Sequence, residues 1–185
     1  MKTPPTLPPI GHWKFDGSGV NEIVGGVSAE KFDDASFQPS GGKYGGFAYI
    51  RDRGDAVKIF HQSMFDLSTA FTIEFWFRER ASGKINQDLV YKGADPNYNF
   101  RISREEGNGV SSGSIVVGYT EAATGAWREL RKANEPRLGI WHHVVFTKDT
   151  AGSAYYLDGD MVYSDYSASP DAKTSPNDSD RRINK

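Results

Sequence analysis

The feature that most constrains the fold is an alternation of apolar and polar residues with a period of two. The segment Phe71–Arg80 reads FTIEFWFRER, with apolar side chains at positions 71, 73, 75 and 77 and mostly polar ones at the even positions. The segment Ile140–Asp149, IWHHVVFTKD, alternates in the same way but carries apolar groups on both faces. Successive side chains of a strand point to opposite faces. The first segment therefore predicts a strand with one buried face, and the second a strand covered on both sides.

Shorter segments with the same pattern indicate further strands along the chain. They are Phe47–Arg51, Ala56–Phe60, Asp88–Tyr91, Tyr98–Arg104, Ser114–Thr120, Ala126–Ala133, Ser153–Leu157 and Met161–Ser164. The dipeptide Asp158-Gly159 separates the last two, and both residue types tolerate the positive φ of a tight hairpin turn. This spacing predicts an all-β fold, a two-sheet antiparallel β-sandwich or jelly roll.

Composition excludes several classes of protein. The 185 residues include no cysteine, which excludes a disulfide framework, a thiolate zinc site and a cysteine nucleophile. The 22 basic and 24 acidic residues are interleaved and leave a formal net charge of −2, which argues against a nucleic-acid partner. No apolar run approaches the roughly 20 residues that span a bilayer, so we expect no membrane insertion.

The two ends of the chain differ from its middle in amino-acid composition. Residues 1–10 contain four of the nine prolines and predict an extended, Pro-rich tether. They lack the charged and apolar regions of a secretory signal. Residues 164–185 are rich in Ser, Asp, Pro and Lys and predict mostly loop.

An ordered series of short phrases is more specific than the alternation. The phrases are WKFDGSG at residues 13–19, KYGGFAYIRD at 43–52, FTIEFWF at 71–77, WHHVVF at 141–146 and YLDG at 156–159. Over residues 11 to about 163 the series resembles the concanavalin A-like lectin/glucanase superfamily, in its laminin G-like jelly-roll branch. The resemblance implies a two-sheet jelly roll and a non-catalytic carbohydrate-binding or adhesion module, usually one part of a larger extracellular protein.

The C-terminus departs from the family pattern. Family members normally end with a further strand, whereas this sequence stops at Arg181–Lys185, where the penultimate strand is expected. We therefore predict that residues 11–185 form a laminin G-like jelly roll that lacks its closing strand. Either the chain is a fragment, or a neighbouring chain or domain supplies that strand by β-augmentation.

Sugar recognition uses an exposed aromatic ring against the apolar face of a sugar, with polar groups on its hydroxyls. The candidates for the glycan-binding site are Trp76 with Glu74 and Arg78 on the same strand face, Trp127, Tyr91 and Tyr119. Large aromatic residues of a sandwich also serve in its core, so each candidate has a structural alternative.

Calcium is the one cofactor that the sequence suggests, because Ca²⁺ prefers carboxylate and amide oxygens on loops. Asp52 and Asp55 share one short loop, and Asp95 and Asn97 share another. The second loop resembles the position of an Asp-Asn pair in pentraxins, which are distant relatives. Asn21 stands where related jelly rolls carry a calcium-binding aspartate. The alternative is that these residues only make turns.

The candidate catalytic residues of this sequence do not have the spacing that known catalytic sites require. Glu74 and Glu79 are separated by an odd number of residues, so they point to opposite faces of their strand, whereas retaining glycosidases need two carboxylates roughly 5 Å apart. His142 and His143 are adjacent on a strand and diverge, which predicts one in the core and one exposed. We find no nucleophile elbow.

The leading hypothesis is a non-catalytic module that binds a glycan or cell-surface polysaccharide, located outside the cell or at the cell surface. The alternative is a decoration or fibre domain on a virion surface, for assembly or host attachment. A polysaccharide-degrading enzyme is the third hypothesis, which the carboxylate spacing disfavours.

Overall fold

The computed structural model describes residues 8–20, 27–51, 54–80, 87–107, 110–134, 136–167 and 170–174. The described residues up to Phe65 form one compact unit, and those from Asp66 onward form another. Together they contain twelve antiparallel β-strands, a single 3-10 turn at Ser63–Phe65 and no α-helix. The predicted all-β class is confirmed. Within these ranges, no helix has the length and apolar character to cross a membrane.

The first unit contains two strand pairs. Its strands are β1 (Ala29–Phe32), β2 (Ser36–Gly42), β3 (Gly45–Tyr49) and β4 (Ala56–Ile59), with β1 paired to β4 and β2 paired to β3. The sequence pattern predicted β3 and β4 but missed the other two. β1 is only four residues long, and β2 contains a proline and two glycines, which are depleted in strands.

The second unit contains two four-stranded antiparallel sheets, named here sheet A and sheet B. Sheet A has the order β12-β11-β10-β5, with β5 (Phe71–Phe77), β10 (His142–Lys148), β11 (Ser153–Leu157) and β12 (Asp160–Asp165). Sheet B has the order β6-β7-β8-β9, with β6 (Gln87–Ala94), β7 (Asn97–Gly107), β8 (Val110–Thr120) and β9 (Trp127–Arg131). The prediction of a strand within Ala126–Ala133 is confirmed by β9.

The apolar core of the second unit is built from both sheets. Sheet B contributes Ile102, Ile115 and Val117, and sheet A contributes Val144 and Phe146, all fully buried. This arrangement is a β-sandwich, as the alternation predicted. Each sheet consequently has an inner face in this core and an outer face that points away from it.

Strand β5 confirms its predicted one-sided burial. Ile73, Phe75 and Phe77 pack against the core, whereas Glu74 on the opposite face is exposed. Strand β10 is covered less evenly than predicted. Its inner residues are buried, but the alternating residues on its outer face are only half-buried.

Candidate functional site

Trp127 lies on the outer face of sheet B, at the start of the edge strand β9. Leu130 of β9 is buried in the core, so period-two alternation directs Trp127 outward. The indole lies across Gly118 of the neighbouring strand, where an added Cβ would collide with the ring and with the Arg128 carbonyl. Glycine at 118 therefore lets the indole lie close to the sheet, with 36% of Trp127 exposed.

Two tyrosines continue from Trp127 along the sheet. The ring centroid of Tyr98 lies 6.0 Å from that of Trp127, and the ring of Tyr91 lies 6.0 Å further on from Tyr98, both in edge-to-face geometry. Tyr91 is 46% exposed. We name Tyr91, Tyr98 and Trp127 the aromatic row. The mutual contacts hold each ring in a defined orientation, which is favourable for stacking on a ligand.

The aromatic row borders a series of ion pairs on the same outer face. Arg101 Nε lies 2.5 Å from Asp88 Oδ1, and Arg101 Nη1 lies 2.8 Å from Glu105 Oε1. The Ser103 hydroxyl also donates to Glu105 Oε1, at 2.7 Å. The Arg101 guanidinium stands 5.7 Å from the Tyr98 ring centroid and connects the ion pairs to the aromatic row.

Arg131 extends the series across the sheet to β9. Its Nη2 donates to Glu105 Oε2, and its Nε lies 2.5 Å from Glu129 Oε1. Glu129 Oε2 accepts the indole N–H of Trp127 at 3.1 Å, so the series ends on the aromatic row. We name the set the charged ladder: Asp88, Arg101, Glu105, Arg131 and Glu129.

The electrostatics of the charged ladder favour the ionised forms of Glu105, Arg131 and Arg101. Burial alone would raise the pKa of Glu105, but hydrogen bonds from Ser103 and Arg131 outweigh it, and the pKa of this carboxyl lies below its usual value. The hydrogen bond to Glu129 raises the pKa of Arg131. Burial lowers the pKa of Arg101, yet its hydrogen bond and ion pair with Asp88 leave that pKa raised.

The five predicted glycan-binding residues fall on two different sheets. Trp127 and Tyr91 belong to the aromatic row of sheet B. The others, Glu74, Trp76 and Arg78, follow the outer face of β5 in sheet A, on the opposite side of the sandwich core. The structure therefore brings together two of the five and separates the remaining three from them.

The residues on the sheet A side are engaged with one another. The Trp76 ring stacks on His143 with centroids 4.7 Å apart and planes inclined by 17°. The Arg78 guanidinium lies 4.9 Å from the Trp141 ring. Trp76 is half-buried and lies flat against its cross-strand neighbour, so less of its ring faces solvent than for Trp127.

Tyr119 was a further candidate for glycan contact with the core as its alternative, and the structure places it in the core. Its side chain is 2% exposed and belongs to the core. The Lys148 ammonium lies 5.1 Å from the centre of its ring. Tyr119 alternates with Gly118, which is on the outer face, so the strand period directs Tyr119 inward.

Tyr98 and the charged ladder are the site residues that the sequence reasoning missed. Tyr98 was inside a predicted strand, but its contact with Trp127 depends on a register shift between Lys92 and Gly93 in the neighbouring strand. The alternating charges of β9 were visible in the sequence as Glu129 and Arg131. Their partner Glu105 could not be found without the strand order.

The predicted calcium ligands do not converge in the described part of the chain. The Asp55 carboxylate accepts the backbone amides of Asp34 at 3.0 Å and of Arg51 at 2.9 Å. The Asn97 side-chain oxygen accepts from the Lys173 ammonium at 2.6 Å, and a bound cation there would meet that positive charge. Asp95 is exposed in the turn before β7.

Asp52 and Asn21 lie outside the described residues. Among the described residues, no three His, Asp or Glu side chains are grouped closely enough to hold a metal ion. The described donors Asp55, Asp95 and Asn97 are therefore not grouped as a calcium site, and calcium binding by the chain stays a prediction.

The residues considered for catalysis have structural partners. Glu79 forms an ion pair with Arg104, while Glu74 lies exposed on the outer face of β5, so the two carboxylates diverge as predicted. His142 is buried, with Nδ1 2.7 Å from Asp158 Oδ2 and Nε2 2.9 Å from the Arg137 carbonyl. His143 is half-buried under Trp76.

Comparisons with known proteins agree with this architecture. A sequence comparison with curated proteins finds no match. Among solved structures, the chain is similar to domain 4 of AbnA, a GH43 extracellular arabinanase from Geobacillus stearothermophilus, solved in complex with arabinotriose. That similarity has a TM-score of 0.62 at 20% sequence identity and covers 90% of this chain and 79% of the other. Residues 51–183 match the Laminin_G_3 family model, so the chain belongs to the concanavalin A-like lectin/glucanases superfamily, as the sequence phrases predicted.

Proposed function

We propose that this chain is a carbohydrate-binding module that holds a glycan against the aromatic row of sheet B without cleaving it. The observation that carries the proposal is the pair of exposed rings, Trp127 and Tyr91, held through Tyr98 on one sheet face beside polar side chains. The apolar face of a sugar packs on such rings, and its hydroxyls bond to the polar groups beside them.

The rigidity of this face supports binding. The Trp127 indole is restrained by the hydrogen bond to Glu129 and by the close approach to Gly118. Tyr98 contacts both neighbouring rings. Because the side chains are ordered before a ligand arrives, little conformational entropy is lost on binding.

The ionisation of the central carboxylate on this face supports a non-catalytic role. A glycosidase needs one carboxyl that keeps its proton at working pH, with a raised pKa. Glu105, the most central carboxylate of this face, contacts two guanidinium groups, and its pKa is lowered. It is suited to accepting hydrogen bonds and unsuited to acting as a general acid.

The fold comparison supports a place outside the cell. The similar solved domain comes from an extracellular arabinanase and carries arabinotriose, so this fold accommodates a neutral oligosaccharide there. We propose that the chain serves as a binding module of a larger extracellular or cell-surface protein. The virion surface stays a prediction from the sequence.

The test is a glycan array, followed by calorimetry on any glycan that binds, using wild type and two matched tryptophan variants. Trp127→Ala removes the end of the aromatic row, and we expect its affinity to fall at least about tenfold, since roughly 1.4 kcal/mol of lost contact is a tenfold change. Trp76→Ala removes an equally plausible tryptophan on the opposite sheet and should leave the affinity unchanged.

Repeating the array with calcium and with a chelator tests the calcium prediction at the same time. Unfolding midpoints of both variants show that each is folded. If Trp76→Ala abolishes binding and Trp127→Ala does not, the site is on sheet A. If wild type binds no glycan under either condition, the proposed function is wrong.

A further inference from the structure

The charged ladder lies directly beside the aromatic row, which it contacts at Trp127 and Tyr98. Resting on the proposed function, we propose that the ladder makes the site selective for uncharged glycans and rejects chains that carry carboxylate or sulfate groups. Three observations on the ladder support this: its guanidinium groups are already paired, its net charge is negative, and its carboxylates remain available to sugar hydroxyls.

Both arginines of the ladder are engaged by carboxylates of the same chain. Arg101 lies between Asp88 and Glu105, and Arg131 lies between Glu105 and Glu129. Proteins that bind uronic acids or sulfated sugars need guanidinium or ammonium donors for the anion. Here an arriving anion would have to displace a carboxylate that is already in hydrogen-bond contact.

Nη1 of Arg131 is buried and has no hydrogen-bond acceptor among the described residues. An anionic sugar in the solvent has no direct access to this nitrogen. Arg101 keeps 23% of its side-chain surface exposed, but that surface lies between the carboxylates of Asp88 and Glu105.

The ladder also carries more negative than positive charge. Its three carboxylates face two guanidinium groups, and hydrogen bonds hold Glu105 in its ionised form. The negative field extends to the aromatic row. Burial raises the pKa of both Tyr91 and Tyr98, and the charge of Asp88 raises each further. An anion stacked on these rings would meet the same repulsion.

The outermost carboxylates remain available to a neutral sugar. Asp88 and Glu129 keep about a quarter of their side-chain surface exposed, at 26% and 25%. A carboxylate has room for about four hydrogen bonds, so each can accept from a hydroxyl while it stays paired to arginine. The ladder therefore favours hydroxyl-rich chains by hydrogen bonding and disfavours acidic chains by charge.

The experiment compares neutral and acidic polysaccharides on the wild-type chain. Affinity gel electrophoresis with arabinan, galactan, xyloglucan and mixed-linkage β-glucan is set against polygalacturonate, alginate and carrageenan, at low and high salt. We expect retardation by one or more neutral polymers, independent of salt, and none by the acidic polymers.

A charge-neutralised variant tests the cause of the selectivity. The double substitution Asp88→Asn and Glu129→Gln keeps the shape of both side chains but leaves two guanidinium groups against one carboxylate. We expect its affinity for polygalacturonate at low salt to rise at least tenfold relative to its affinity for the neutral polymer, measured on the same variant. Glu74→Gln makes the same kind of change on the opposite sheet and should alter neither.

The outcomes separate this inference from the proposed function. Wild type that binds acidic polymers as well as neutral ones overturns the selectivity and leaves glycan binding in place. A folded double variant that gains no affinity for the acidic polymer shows that ladder charge is not the cause. If the double variant does not fold, Glu129→Gln is tested alone and should bind polygalacturonate more tightly than wild type at low salt. No gain in that affinity, or salt-dependent binding of neutral polymers by wild type, would contradict the charge explanation. No binding by any polymer overturns the proposed function.

Discussion

At the scale of single residues, Asp158 connects a hairpin turn to the neighbouring strand. Its Oδ2 lies 2.7 Å from His142 Nδ1, and its Oδ1 accepts the His143 amide at 2.9 Å. Burial would raise its pKa, but the hydrogen bonds from the His143 amide and the His142 ring outweigh burial and lower the pKa below its usual value. The folded state therefore favours the ionised carboxylate.

This lowered pKa predicts a stability that depends on pH. A carboxyl whose pKa is lower in the folded state contributes stability above its unfolded-state pKa of about 3.9 and loses it as pH falls through the folded value. Asp158→Asn should reduce the thermal unfolding midpoint at pH 7. The difference from wild type should shrink as pH falls below about 4 and disappear below the lowered folded-state pKa, where both side chains are neutral.

Asparagine also tolerates the positive φ of 55° at this position, so the variant tests the charge and not the turn. Glu74→Gln serves as the control, since it removes an exposed carboxylate of the same sheet. A difference between Asp158→Asn and wild type that is as large at pH 2 as at pH 7 would contradict the assignment.

At the scale of elements, the hairpin between β11 and β12 requires a positive φ at Gly159. Gly159 has a φ of 91°, and no atom lies within 4 Å of the position of an added Cβ. Gly159→Ala should therefore destabilise the protein by about 1 kcal/mol through backbone strain alone, without a steric clash. Chemical denaturation at pH 7 measures this difference in the free energy of unfolding.

Gly159→Asn is the matched control, because asparagine adopts left-handed conformations more readily than alanine. It should recover part of the stability that Gly159→Ala loses. Equal stability of the glycine and alanine proteins would mean that the turn relaxes to a different conformation.

At the scale of the whole molecule, stability depends on the core that sheets A and B share. Phe146 is fully buried, and its ring meets Phe71 edge to face with centroids 5.6 Å apart. Phe146→Ala should lower the free energy of unfolding by about 3–5 kcal/mol, since it removes buried contacts and leaves a cavity. Equilibrium denaturation provides the measurement.

The control is Leu138→Ala, at an apolar residue that is 42% exposed, with an expected change of about 0.5 kcal/mol. Similar losses for the two variants would contradict a shared core in which Phe146 is central.

Much of the strand content could be predicted because alternation is a local property. The pattern of Phe71–Phe77, the burial of one of two adjacent histidines and the hairpin at Asp158 all follow from residues within a few positions of one another. Prediction failed for β1 and β2, whose short length and Pro and Gly content hide the pattern. Local pattern also left Tyr119 open between a glycan contact and the core, and the structure places it in the core.

The sequence by itself determined the all-β class, the family and the choice of Trp127 and Tyr91 as candidate ring platforms. Tertiary structure alone decided that these two share a face through Tyr98, that Trp76 lies on the other sheet, and that two arginines are neutralised by carboxylates. Arg131 and Glu105, for example, are 26 residues apart and meet across two neighbouring strand pairs. Strand order and register set such contacts, and both depend on how the whole core packs rather than on any local pattern.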